Sequence, residues 1–224
     1  MLNLNDMLKT IIYGFLTVIA AGTASADSIF GVCGSGFTDG TCGTQAGLGT
    51  VDGNWSLSTS VESIIGNDAF ITQTGQFPFG PWLFDTSTYQ WIGPQAGGNE
   101  TNDAPGLYVY TESFDLTNYY LASVVLTGGF AADNSAEIFL NGVDTGIGTS
   151  TFASLTAINL TSGFLQGVNT LTIEVTNAPG ATGNPSGLVV ELSGTGTVLP
   201  EPASFAFMGV GLAALGFFGR RLRS

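Results

Sequence analysis

From Asn54 to Leu192 apolar and polar residues alternate in short runs broken by Gly, Asn, Asp and Pro, the two-residue period of strands with one buried face. Trp55, Leu57 and Thr59 alternate with Ser56, Ser58 and Ser60. The runs LYVYTESF (107–114), LASVVL (121–126) and AEIFL (136–140) read as further strands. Leu171, Ile173 and Val175 share one face while Thr172, Glu174 and Thr176 share the other, and Leu188, Val190 and Leu192 close the series. Asn141-Gly142 after AEIFL is the strongest hairpin signal, since both residues accept the positive φ of a type I′ turn. No helical period competes with these runs. About eight strands in one body predict an all-β fold, a β-sandwich of jelly-roll type.

The two ends follow a different pattern. IIYGFLTVIAA (11–21) is an uncharged apolar run after Lys9, and Thr23-Ala24-Ser25-Ala26 supplies the small residues at Ala24 and Ala26 that a signal peptidase reads. A secretory signal over 1–26 follows, with Asp27 as the first mature residue; the alternative is an N-terminal membrane anchor. Residues 27–49 form a Gly-rich segment, 50–195 the sandwich, and 196–224 a tail. In that tail Pro200-Glu201-Pro202 precedes an apolar run expected as a transmembrane helix over about 203–219, and Arg220, Arg221 and Arg223 end the chain on what would be the cytoplasmic side.

Charge narrows the chemistry. Of 224 residues 9% are charged, none is His, and the only cations are Lys9 and the three terminal arginines; of the 17 acidic residues only Asp6 and Glu201 lie outside the body. A body without Lys, Arg or His is repelled by nucleic acid. It also cannot assemble a Ser-His-Asp triad, a catalytic Lys, an arginine clamp or a His-ligated metal. Carboxylates, hydroxyls, amides and aromatics remain.

The order of Pro-Glu-Pro, apolar run and arginine cluster resembles the PEP-CTERM sorting signal of Gram-negative bacteria. That resemblance implies export, transient residence in the inner membrane, and recognition at Pro200, Glu201 and Pro202 by an exosortase, a membrane transpeptidase. It also implies a setting of exopolysaccharide-producing, biofilm- or floc-forming cells. The alternative is a plain C-terminal anchor. In the oxidising compartment that export implies, Cys33 and Cys42, with eight residues between them and the only two cysteines, most simply pair with each other.

A second resemblance rests on Trp91-Ile92, Pro105-Gly106, FDLT (114–117), AADN (131–134), IFLNG (138–142), Gly167, Asn169, Leu171, Asn177 and Gly187-Leu188. In this order they resemble a galactose-binding-like jelly roll over about 50–195, a family that includes sugar-binding modules of glycoside hydrolases. A glycan site would need an aromatic platform and polar partners for hydroxyls. Trp82, in the Pro-rich loop FPFGPWLF (77–84), is the platform candidate or else a packed loop anchor; Asn99 and Asn102 in GGNETNDAP (97–105) are the polar candidates. Trp55 and Trp91 read as core. No cofactor is expected, although that loop with Asp133, Asn134 and Asp144 offers oxygen ligands for a structural or bridging Ca²⁺.

Glu137, Glu174 and Glu191 could in principle serve a carboxylate-based glycoside hydrolase, but each falls in the outward phase of a strand. The expectation is therefore an exported, non-enzymatic surface or extracellular-matrix protein that interacts with exopolysaccharide. A purely structural matrix protein is the alternative.

Overall fold

The computed structural model describes residues 25–59, 61, 67–72, 81–180, 184–199 and 209–211. The expected signal helix, Ala24, the transmembrane helix apart from a helical turn at 209–211, and Pro200, Glu201, Pro202, Arg220, Arg221 and Arg223 lie outside those residues. Among the described residues no helix is long and apolar enough to cross a membrane.

The body is all-β, with every pairing antiparallel. Its strands are β1 (Ala26–Cys33), β2 (Val51–Thr59), β3 (Asp68–Ile71), β4 (Ile92–Gly93), β5 (Gly106–Asp115), β6 (Val125–Asp133), β7 (Ser135–Leu140), β8 (Val143–Thr149), β9 (Thr156–Leu160), β10 (Val168–Asn177) and β11 (Gly187–Thr197). Hydrogen bonding runs β8-β7-β10-β5-β2-β3-β4-β11-β6-β9, with β1 paired to β11. The short strands β3 and β4 join two layers of a sandwich. The strands beyond the expected eight are those whose sequences carry weak alternation: β4 has two residues and β8, VDTGIGT, is rich in Gly and Thr.

The inward phase is the one the pattern predicts. Ile138, Ile173, Tyr110 and Leu57 stand in register across β7, β10, β5 and β2 and are buried. With Leu126, Phe130, Leu188 and Val190 from β6 and β11 they form the main apolar core. Asn141 and Gly142 adopt φ of +54° and +77° and turn β7 into β8 through two residues, as expected. The Asn141 amide donates to the Oδ1 of Asn169, a buried residue whose own amide donates to the carbonyls of Leu165 and Gly167.

One strand expectation is corrected. Leu121–Ser123 is a 3-10 turn, and β6 begins only at Val125. Ser123 explains it: its hydroxyl donates to the Tyr120 carbonyl and accepts the Thr197 amide, closing a tight turn where an extended chain would leave both groups unmatched.

The Gly-rich segment packs onto the sheet. Cys33 and Cys42 form the expected disulfide. Two buried carboxylates hold this region: Glu112 accepts the Cys33 amide, and Asp52 accepts the amides of Gly36, Asn54 and Trp55. The Trp55 indole in turn donates to the Cys33 carbonyl.

Candidate functional site

The loops expected to carry a ligand fold over the outer face of the second layer and there build a small core of their own. Trp82, Tyr89, Trp91, Ala131 and Val189 cluster together. Trp82 stacks on Trp91 with ring centroids 4.1 Å apart, and donates its indole N–H to Asp133 at 2.9 Å. Trp91 donates to the Leu83 carbonyl. Gly187 permits this: a Cβ there would come within 2.5 Å of the Trp82 ring. At 3% exposure Trp82 has no open face for a sugar, so the structure replaces the expected platform with the packed anchor. The reason is the neighbouring Trp91, whose stacking and burial outweigh the exposure that a Pro-rich loop suggested.

The polar loop is likewise turned inward. Glu100 and Asp103 are buried; Glu100 accepts the Gln95 amide N–H, and Asp103 accepts from the Gln95 side chain and the Ser186 backbone. Their engagement leaves Asn99 and Asn102 exposed on the rim, while Trp82 lies packed beneath the surface. Burial raises the Asp133 pKa against the lowering effect of the Trp82 hydrogen bond, and the Asp103 charge adds to the rise. The Tyr110 hydroxyl is fully buried near Glu100 and Asp103, and burial first, then those charges, push its pKa well up.

Of the residues weighed as Ca²⁺ ligands, Asp103 lies near enough to Asp133 for its charge to act there, and Asp144 stands apart. Asp133 and Asn134 precede β7, whereas Asp144 pairs with Phe139 near the strand's far end and accepts the Gly146 amide. Asn134 caps the Ala178 amide. Among the described residues no group of three or more acidic or Cys side chains is placed to hold a metal.

The open polar site lies elsewhere, on the outer face of β5, β7, β8 and β10. A groove of about 340 Å³ is lined by Leu107, Ser135, Glu137, Thr149, Glu174 and Thr176, with Gly148 and Ser150 at its edge. Glu174 stands directly opposite Glu137 in the β10–β7 register, and Thr176 opposite both Ser135 and Leu107. Two carboxylates facing each other across a strand pair, with no cation in the body to join them, disfavour the folded state by about 0.2–1 kcal/mol. Glu191 sits on β11, in the other layer.

Sequence reading noticed each glutamate singly. It missed Ser135, Thr149, Ser150 and Thr176 as one lining, because only the strand register makes neighbours of them. The outward-phase hydroxyls in β7 and β10 were the available signal.

The two ends of the body meet. Ala26, at the expected signal cleavage position, pairs with Thr197, and Leu199 donates its amide to the Asn118 carbonyl. Residues 198–223 match the PEP-CTERM protein-sorting motif. The match begins where the sheet ends, and it marks an exported protein, sorted to the cell surface through an exosortase. No curated protein sequence matches the chain.

Among solved structures, the chain is similar to a GH26-CBM35 beta-(1,4)-mannanase of Podospora anserina at 15% identity and a TM-score of 0.29, over 66% of this chain and 29% of that one. A family two carbohydrate esterase from Cellvibrio japonicus gives 11% and 0.27 over 55% and 31%, and a beta-glucosidase from Kluyveromyces marxianus 11% and 0.28 over 61% and 17%. The chain thus spans less than a third of each, and superpositions this loose carry no argument about what it binds.

Proposed function

We propose that this protein, released from a transient stay in the inner membrane of a Gram-negative bacterium, acts at the cell surface or in the extracellular matrix as a non-catalytic polysaccharide-binding module. In this reading its body is a jelly roll of the galactose-binding-like kind, and the groove over β5, β7, β8 and β10 is the glycan site. The observation that carries the ligand assignment is the Glu137–Glu174 pair, set opposite each other beside the hydroxyls of Ser135 and Thr176. Carboxylates and hydroxyls in one open groove match the donor and acceptor pattern of a sugar chain lying across the strands. Aliphatic Leu107 offers an apolar contact beside them.

Polysaccharide pull-down and glycan-array binding test the proposal. Wild-type protein is expected to be retained on at least one neutral or acidic glycan, and Glu137→Gln with Glu174→Gln to weaken retention. No retention on any glycan would leave a structural matrix protein as the better account.

A further inference from the structure

At the end where β1 and β11 begin and finish, a second groove of about 340 Å³ is apolar, walled by Phe30, Gly31, Phe114, Tyr119 and Val168, with Ser113 and Asp115 at its edge. Phe30 and Val168 are 69% and 68% exposed. A bulge puts Phe30 there. Ala26–Ser28 pair with Thr195–Thr197, but Cys33 already opposes Ser193, so β1 carries extra residues between Ser28 and Cys33. Ile29 and Val32 turn into the core, Gly31 takes φ +83°, and Phe30 is thrown outward. Bulges re-aim side chains in this way.

The groove is tied to the exit points of the chain. Tyr119 bridges Val198 and donates its hydroxyl to the Ser28 carbonyl. Tyr120 donates its amide to the Thr197 carbonyl, and Leu199 donates to Asn118. From Leu199 to the start of the tail's apolar run at Ala203 is four residues, at most about 14 Å even fully extended. With that run in the bilayer, this end of the body cannot stand away from the lipid.

We infer that the Phe30–Tyr119–Val168 groove docks on the lipid interface while the tail is membrane-inserted, setting the body with this end down and the opposite end, where β5 begins and β10 finishes, away from the membrane. Aromatic and aliphatic side chains partition into that interface. Asp115 at the groove edge spends its carboxylate on the amide and hydroxyl of Thr117, and the acidic body makes a zwitterionic lipid face the fitting partner. The inference rests on the membrane stage of sorting and is independent of the glycan reading.

Contact quenching tests it. The three native tryptophans are all buried, so one introduced at an exposed site reports on its own surroundings. The full chain carrying Phe30→Trp, Val168→Trp or Leu107→Trp is reconstituted in phosphatidylcholine vesicles with plain or brominated acyl chains, with the parent chain as blank. Leu107, 38% exposed and paired with Thr176 at the far end of β5 and β10 from Asp115 and Val168, is the distant control.

Emission from the reporters at positions 30 and 168 is expected to be lost in brominated vesicles, and that from position 107 retained. Equal quenching at all three positions, or none at 30 and 168, overturns the docking. So does a blue-shifted, unquenched signal at 30, which would mean that protein covers the groove. Carbonate extraction separates the failures: a chain washed from the vesicles refutes the membrane stage itself, whereas one that resists extraction without quenching refutes only the docking.

Discussion

Raising the pH from about 5 to 8 should lower the thermal unfolding midpoint of this acidic protein. Four carboxyls have pKa values raised by burial: Asp52, Asp85, Asp133 and Glu112, the last well above the usual range. The folded chain keeps protons on these groups after the unfolded chain has released its own, so unfolding releases protons and rising pH favours it. For Asp85 the value moves from 3.8 to about 6, opposed only by the hydrogen bond from the Trp91 amide. At 1.36 kcal/mol per pH unit the whole shift bounds the effect at about 3 kcal/mol, of which about 1.4 kcal/mol falls above pH 5, and partial exposure reduces that part to about 0.5–1 kcal/mol. In a domain of this size that is about 1–4 °C.

Glu112 extends the decline to higher pH. Asp39 and Asp115 act oppositely: hydrogen bonds from Thr41 and Thr117 hold their pKa values down, so their contribution is present above the ordinary carboxylate value and is lost in acid. Maximum stability should therefore fall in mild acid. The assay is far-ultraviolet circular dichroism melting at fixed ionic strength across this range. Repulsion within an acidic body has the same sign, so Asp85→Asn is the control; it should flatten the part of the profile between about 4 and 6 while leaving the rest. A midpoint that climbs steadily from pH 5 to 8 would refute the reasoning.

Other outcomes follow from the packing. Gly187→Ala should cost about 1–3 kcal/mol in chemical denaturation, because the added methyl meets a Trp82 ring locked against Trp91. Trp82→Ala should cost about 3–5 kcal/mol without selectively abolishing glycan retention; a variant of unchanged stability that lost binding would restore the platform role. Removing the Cys33–Cys42 disulfide, whose partners are 9 positions apart, should cost about 2–3 kcal/mol in the same assay. Glu137→Gln should stabilise the protein by about 0.2–1 kcal/mol while weakening polysaccharide retention, a pairing of effects that a solvated surface carboxylate would not show.

The sheet was legible where side-chain alternation is strong. β7 and β10 carry unbroken apolar inward series, Ala136, Ile138 and Leu140 and Leu171, Ile173 and Val175, whereas Glu112 interrupts that of β5, and Asn141-Gly142 specified its turn through backbone chemistry alone. The disulfide needed only two cysteines and an export route. Legibility failed where the deciding contact is remote in sequence. Trp82 is buried by Trp91 and by Gly187, more than a hundred residues on; Leu121–Ser123 turns because Ser123 meets Thr197; Phe30 is expelled by a shift in pairing with β11. The groove is the clearest case: Glu137 and Glu174 become neighbours only once β7 and β10 pair, and no local pattern encodes that register.

The position of β11 has a mechanical consequence. Its C-terminal end leads directly into the sorting segment, and it runs beside β6 for nine paired residues and beside β1 at its close. A cell-surface protein held by that end and tugged through cargo elsewhere would carry the load along the strand axis. The backbone bonds to β6 would then resist together in shear, where a terminal strand pulled sideways would open them one after another like a zip.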